Sequence, residues 1–455
     1  MNRAPARARD AFTSRLGVIL ATLGSAVGLG NIWKFPYLTG DNGGAAFLVV
    51  YLLATLAVGL PVMIAELVIG RRARADAVSS FERLAPPGGG AWRYVGVAGV
   101  CSAVFLLAFY SEVVGWVFAY LFESLRGAAL SSDPAANAAR FTALAHDPVA
   151  ALGWQWAALA WAAGIIVCGV ARGIEAVTKR LMPLLFLLLA GLAVHALTLP
   201  GAGRGLAFLL QPDFSRIGPA VVLTALGLAF FKLSLGIGAM ITYGSYFRAD
   251  QDIPLTATRV MLADLTVSLL AGIAIFPAVF SFGFAPASGP ALVFMTMPAV
   301  FSQLPAGGVL LAVFFALIAI AATGAMLSIL EVPVAWLVER HGWGRARATV
   351  AATLVIALFG APAALSQGVG AAFTLAGRSV FELYDFLTSQ LLMPLTGIAI
   401  ALFVGRTWSA AALAAELGQG GGARRAALVG PLRVLLRWVA PLLIAVVLLH
   451  GWWGG

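Results

Sequence analysis

Apolar residues run along this chain in long blocks that polar, glycine-rich or basic gaps interrupt. A helix needs roughly 20 predominantly apolar residues to cross a bilayer. Eleven blocks reach that length: 13–38, 42–70, 92–125, 153–171, 178–199, 219–247, 258–283, 307–338, 346–365, 376–404 and 432–450. The pattern predicts an all-α polytopic membrane protein, a single transmembrane domain over 1–450. Spans 1–5 (about 13–199) and spans 6–10 (about 219–404) make two halves, and span 11 (about 432–450) stands outside them.

Composition agrees. The 455 residues are 61% hydrophobic and 11% charged, against about 25% charged in soluble domains. Mean hydropathy is +0.96. The formal charge of +10 does not point to nucleic acid, because the basic residues sit in the gaps and form no compact face. With the N-terminus in the cytoplasm, 22 of the 29 Lys and Arg residues fall on inside segments. That asymmetry predicts an inside N-terminus, an outside C-terminus and an odd number of spans in the cell's inner membrane. Cys101 and Cys168 lie within apolar runs and read as small buried hydrophobes. The first run reads as a retained span, since no short apolar region with a small-residue cleavage site precedes it. His146, His195, His341 and His450 are scattered, and no metal cluster, phosphate loop or nucleophile elbow is present, which excludes an enzyme.

Spans 1 and 6 carry dense glycines. Span 1 reads Gly24-Ser25-Ala26-Val27-Gly28-Leu29-Gly30-Asn31, and span 6 reads Leu233-Ser234-Leu235-Gly236-Ile237-Gly238. Glycine also serves close helix packing. Polar residues inside both clusters, at the first span of each half, favour unwound segments facing a midplane binding site. One basic residue, Lys232, falls in the middle of span 6. Snorkelling serves residues near helix ends, so a charge at this depth marks a functional site.

These segments, with Lys34-Phe35-Pro36, Asn42-Gly43-Gly44, Glu66, Phe109-Tyr110, Phe230-Phe231, Thr242-Tyr243, Tyr246 and Glu331-Val332-Pro333, resemble the neurotransmitter:sodium symporter family, and most nearly its bacterial eleven-span amino-acid transporters. The resemblance implies the leucine-transporter fold: two inverted five-helix repeats with discontinuous helices 1 and 6. It implies that Ala26 and Asn31 ligate a first sodium. Gly24 and Val27 would supply backbone ligands to a second, near Ala321. Tyr110, with backbone groups of Leu29 and Gly30, would hold a substrate carboxylate beside Ser25. Leu106, Phe231, Ser234, Ile237 and Ile329 would line the side-chain pocket, Phe231 as its lid. Lys34 with Asp385 would form the outer gate. Arg9, with Glu339 as the nearest acid and Tyr246 as a brace, would form the inner one. Glu66 would cap the unwound part of span 6, and Ser268 takes the place where the family holds chloride or an acid.

Two positions depart from the family pattern. Sodium prefers hard oxygen ligands, yet Lys232 stands where the first site should offer a hydroxyl, and Asp264 stands where asparagine is frequent. We expect the two to pair, the ammonium acting as a tethered cation that meets the substrate carboxylate. At the second site Gly324 and Ala325 replace two hydroxyl residues. Thr323 is one residue early, about 100° away round the helix. Coupling therefore stays open between two readings. One is sodium-independent or proton-linked transport, since a desolvated lysine can exchange a proton. The other is sodium binding at a residual second site. Glu112 either carries a proton or plays a structural part. The function expected is secondary transport of a neutral, hydrophobic L-amino acid by alternating access, with no other cofactor and no obligate protein partner. An uncoupled sensor is the alternative.

Overall fold

The computed structural model describes residues 10–283, 292–420 and 422–453. Its membrane helices in chain order are α1 (Arg15–Ala26), α2 (Gly30–Asp41), α3 (Ala45–Ala73), α4 (Gly90–Leu125), α5 (Pro148–Val167) and α6 (Val170–Leu197). They continue with α7 (Pro219–Lys232), α8 (Ala239–Ser245), α9 (Ile253–Ser281), α10 (Gly307–His341), α11 (Arg345–Leu365), α12 (Val380–Thr407) and α13 (Val429–His450). Among the described residues nine of these are long and apolar enough to cross a membrane alone, and α1 with α2 form a tenth crossing bent by 54°. Helices α7 and α8, 14 and 7 residues long, are each too short to cross. Residues 233–238 join them into a second interrupted pair. No β-strand occurs among the described residues.

Polar caps explain where helix starts differ from the hydropathy pattern. Span 4 begins at Pro148, not 153, because the Asp147 carboxylate accepts the Val149 and Ala150 N–H groups. Span 7 begins at Ile253, not 258, under an Asp252 cap. Such caps satisfy orphan N–H groups at a helix start. Short helices at Ala77–Leu84, Pro134–His146 and Ala202–Leu210 fall below the length a hydropathy reading detects. Cys101 and Cys168, expected inside, are exposed. An apolar run in a membrane protein faces lipid as readily as protein, so context alone does not fix the side.

The two halves pack as a bundle around the interrupted spans. Helix α4 packs on α5, α10 and α11; α1 lies against α6, α9 and α10; α7 lies against α3 and α13. Helix α8 crosses α3 so closely that a Cβ on Gly70 would stand 1.9 Å from the Ile241 carbonyl oxygen. Glycine there lets two backbones meet without a hydrophobic driving force in lipid.

Candidate functional site

Helix α1 ends because the backbone turns extended at Val27 (φ −89°, ψ 103°). Asn31 then stabilises the break, its Oδ1 accepting the Gly28 N–H at 3.2 Å. The second break turns on three left-handed residues, Ser234 (φ 53°), Gly236 (φ 78°) and Gly238 (φ 78°). Glycine adopts that conformation freely, whereas serine does so at a cost. The Ser234 hydroxyl is held by donating to the Ser25 carbonyl at 2.8 Å, which ties the two breaks together. Gly236 is pinned from both sides: its N–H donates to Glu66 Oε1 at 2.7 Å, and its carbonyl accepts from Thr396 at 2.6 Å. Glu66 thus caps the unwound stretch.

Between the breaks lies a chamber of about 30 Å³ lined by Ser25, Ala26, Gly28, Leu29, Gly30, Leu106, Tyr110, Phe231, Lys232, Ser234, Ala325 and Ile329. Space of that size holds about two waters, so the walls must part to admit a solute. Ile237, expected in the wall, is fully buried and outside it; its backbone packs on Gly99 of α4. Tyr110 OH accepts the Leu29 N–H at 3.2 Å. A phenol both accepts and donates, so its own proton remains free to meet an anion at the start of α2, where the helix dipole also favours negative charge. The Ser25 hydroxyl is buried with no partner.

Behind the chamber Lys232 and Asp264 form a buried ion pair at 3.0 Å, their side chains 0% and 1% exposed. The ammonium also donates to Tyr51 OH at 2.9 Å and Ser268 Oγ at 2.5 Å. It lies 4.8 Å from the ring centres of Phe35 and Tyr51. An ammonium has three donors, and all three are spent. This corrects the expectation that Lys232 meets a substrate carboxylate directly: its stem borders the chamber while its charge points away toward α3 and α9. Asn31 Nδ2 completes the cluster, donating to Asp264 Oδ1 at 2.6 Å and Ser268 Oγ at 3.1 Å. Sodium does not fit here. Asn31 Oδ1 is committed to Gly28, and like charges about 4 Å apart repel by about 4 kcal/mol at an effective dielectric near 20.

Of the second set, Ala321 and Gly324 are buried in α10, and Ala325 borders the chamber. Thr323 faces α5. Its hydroxyl donates to Ala319 O at 2.8 Å and accepts the Trp161 indole N–H at 3.2 Å. Glu112 is buried with neither carboxylate oxygen bonded.

Outward from the chamber is a vestibule of about 440 Å³ lined by Lys34, Tyr37, Arg378, Asp385 and Phe386 among others. Phe231 borders both spaces and so forms the partition. Lys34 and Asp385, expected to pair, do not: Lys34 Nζ lies 4.2 Å from the Phe231 ring centre, and Asp385 accepts the Ser389 hydroxyl at 2.7 Å. The vestibule keeps the two apart. The opposite end is shut. Phe12 packs edge-on against Tyr243, Tyr246 and Phe247. Tyr246 donates to Glu331 at 2.7 Å. Arg345 grips the same carboxylate at 2.6 Å and reaches Asp10 at 3.1 Å and the Ile166 carbonyl at 2.7 Å. Arg9 lies outside the described residues, and Glu339 accepts the Asp76 N–H at 2.8 Å. Sequence reading missed Arg345 and Asp10 as closing residues. It counted Arg345 only as an inside charge, although its place at the start of span 9 was the available signal.

Known proteins resemble this chain over nearly its whole length. The model of the sodium:neurotransmitter symporter family covers residues 9–134 and 145–452. An uncharacterized sodium-dependent transporter of Bacillus subtilis, YhdH, is 39% identical over 439 residues, 96% of this chain and 97% of that one. An uncharacterized sodium-dependent transporter of Haemophilus influenzae is 36% identical over 406 residues, 87% and 89% of the two chains. The crystal structure of MhsT in complex with L-phenylalanine superposes with a TM-score of 0.89 at 42% identity, covering 98% of this chain and 100% of that one.

Proposed function

The chain belongs to the sodium:neurotransmitter symporter family, a family of multi-pass membrane transporters and not of enzymes, and from that premise we propose that it carries neutral, hydrophobic L-amino acids across the inner membrane by alternating access. The reading rests on the chamber between the two breaks. The substrate carboxylate binds at the start of α2, accepting hydrogen bonds from the Tyr110 hydroxyl and the Gly30 N–H, while the Leu29 N–H holds the Tyr110 oxygen in place. The amino group meets carbonyls at the ends of α1 and α7, where helix dipoles are negative. Leu106, Phe231, Ala325 and Ile329 surround the side chain and offer it no charge. The solved relative's bound L-phenylalanine supports an apolar substrate. Phe231 moves to admit it from the vestibule, and release requires the Arg345–Glu331–Asp10 closure to part. An N-terminus in the cytoplasm, which places the vestibule outside, completes the reading.

Coupling follows from the Lys232–Asp264 pair. It fills the position where the resemblance puts the first sodium with a buried ion pair of the chain's own. We therefore assign transport that is independent of sodium at this site, with a proton gradient as the remaining ionic drive. The relatives described as sodium-dependent transporters favour the competing reading of a sodium symporter working through the second site.

Replacing Tyr110 with Phe removes one hydrogen bond to a charged group, worth about 1.5–3 kcal/mol. Affinity for labelled L-phenylalanine or L-leucine should fall about ten- to a hundredfold, measured by equilibrium binding on the purified protein. An unchanged Kd would remove the carboxylate from this position.

A further inference from the structure

The seam between α1 and α10 is closed at Gly24 and Gly324. A Cβ on Gly324 would stand 2.6 Å from the Gly24 carbonyl oxygen and 3.1 Å from both its carbonyl carbon and its Cα. A Cβ on Gly24 would meet Gly324 Cα at 3.6 Å and Thr178 Cγ2 at 3.2 Å. One turn along, a Cβ on Gly28 would meet the Ala325 methyl at 3.0 Å. The two helices are thus in backbone contact where the resemblance puts a second cation.

A hard cation needs oxygens on several sides. Here the side chains that could provide them are absent or committed elsewhere. Gly324 and Ala325 have none. The Thr323 hydroxyl is bonded to Ala319 and Trp161 on the face toward α5. The Thr178 hydroxyl bonds back to the Ile174 carbonyl at 2.8 Å. The Gly24 and Val27 carbonyls remain, but these side chains leave no oxygen to complete a shell with them, so the residues present do not fit sodium.

We infer that the Gly24–Gly324 contact takes the place of that cation: α1 is latched to α10 by close packing of small residues, and the cytoplasmic face closes with no ion bound. The inference rests on the transporter reading above and extends it, because with Lys232 at the first position both cation positions are filled by the chain itself. Inward closure is then set by van der Waals contact and by the Arg345 network, and sodium has no part in it.

The test uses the full chain in lipid nanodiscs carrying Thr22→Cys together with Cys101→Ser and Cys168→Ser. Thr22 is fully buried in α1, on the turn before Gly24, and becomes reachable from the cytoplasmic side when α1 swings out of the bundle, as it does on leaving α10. Its maleimide modification rate should be slow and equal in sodium and in choline at matched ionic strength. Adding Gly324→Ala should raise the rate about tenfold in both salts, because the new Cβ cannot share space with the Gly24 carbonyl and brings no oxygen for a cation. Sodium-dependent slowing in the Gly324 chain overturns the inference, as does a Gly324→Ala chain that reacts no faster. Counterflow of labelled L-phenylalanine by the same Gly324 chain separates the two readings. Exchange combined with sodium-slowed labelling removes the latch and leaves transport standing. Sodium-insensitive labelling with no exchange of any neutral amino acid removes transport and leaves the latch.

Discussion

Replacing Lys232 with Met should abolish amino-acid uptake and destabilise the protein by about 3–5 kcal/mol. The pair is fully buried, so removing the ammonium strands the Asp264 carboxylate among Tyr51, Asn31 and Ser268 with no counter-charge. Its attraction to the carboxylate matters less than the cost of leaving that carboxylate alone. The double change Lys232→Met with Asp264→Leu should therefore recover most of the lost thermal stability while uptake stays impaired. A different pair of changes tests the role of the charge. Lys232→Thr with Asp264→Asn returns oxygen ligands to the site, and any uptake it supports should be stimulated by sodium. A Lys232→Thr chain with unchanged affinity and unchanged ion response would remove the lysine from the transport mechanism.

Replacing Arg345 with Ala should open the closed end of the bundle, which we propose faces the cytoplasm. Arg345 gathers Glu331, Asp10 and the Ile166 carbonyl, and so joins α10 and the end of α5 to the segment leading into α1. Glu331 is 0% exposed. Losing its guanidinium partner costs about 3–5 kcal/mol in the closed state, and hydration of Glu331 in an open state would relieve that cost. Cytoplasmic reactivity of Thr22→Cys should rise by more than tenfold, since every 1.4 kcal/mol is a factor of ten. Arg345→Lys should fall between wild type and Ala, because a single ammonium cannot hold the carboxylate and Asp10 in the same forked geometry. Equal reactivity in the wild type and Arg345→Ala would show that the Phe12 aromatic cluster and the Gly24–Gly324 contact keep this face shut without Arg345.

Much of the fold was legible because lipid imposes simple demands. Length and hydropathy marked the spans, and the clustered glycines at 24–30 and 236–238 marked the interruptions. Helix starts at Pro148 and Ile253 were misread, since capping by Asp147 and Asp252 depends on side-chain geometry that hydropathy does not measure. The pairing of Lys232 with Asp264 could be read from two unusual residues on neighbouring spans. The direction of the ammonium could not: it depends on Tyr51 and Ser268 offering acceptors on the far side, and on Asn31 turning its oxygen to Gly28. The outer gate failed for a related reason. Lys34 and Asp385 face a common vestibule, and opposite charges across solvent gain little from closing the gap. Gly324 appeared in the sequence only as a missing hydroxyl. Its role as a contact surface emerges from the backbone of Gly24 pressing on it.

Counterflow in proteoliposomes tests the central claim most directly. Vesicles loaded with an unlabelled neutral amino acid, L-phenylalanine or L-leucine, are diluted into labelled substrate in choline medium and in sodium medium. The account predicts transient accumulation of label to the same extent in both, abolished in the Lys232→Met chain. Exchange that appears only in sodium would contradict the assignment of the first cation position to Lys232, and absence of exchange in either medium would contradict transport.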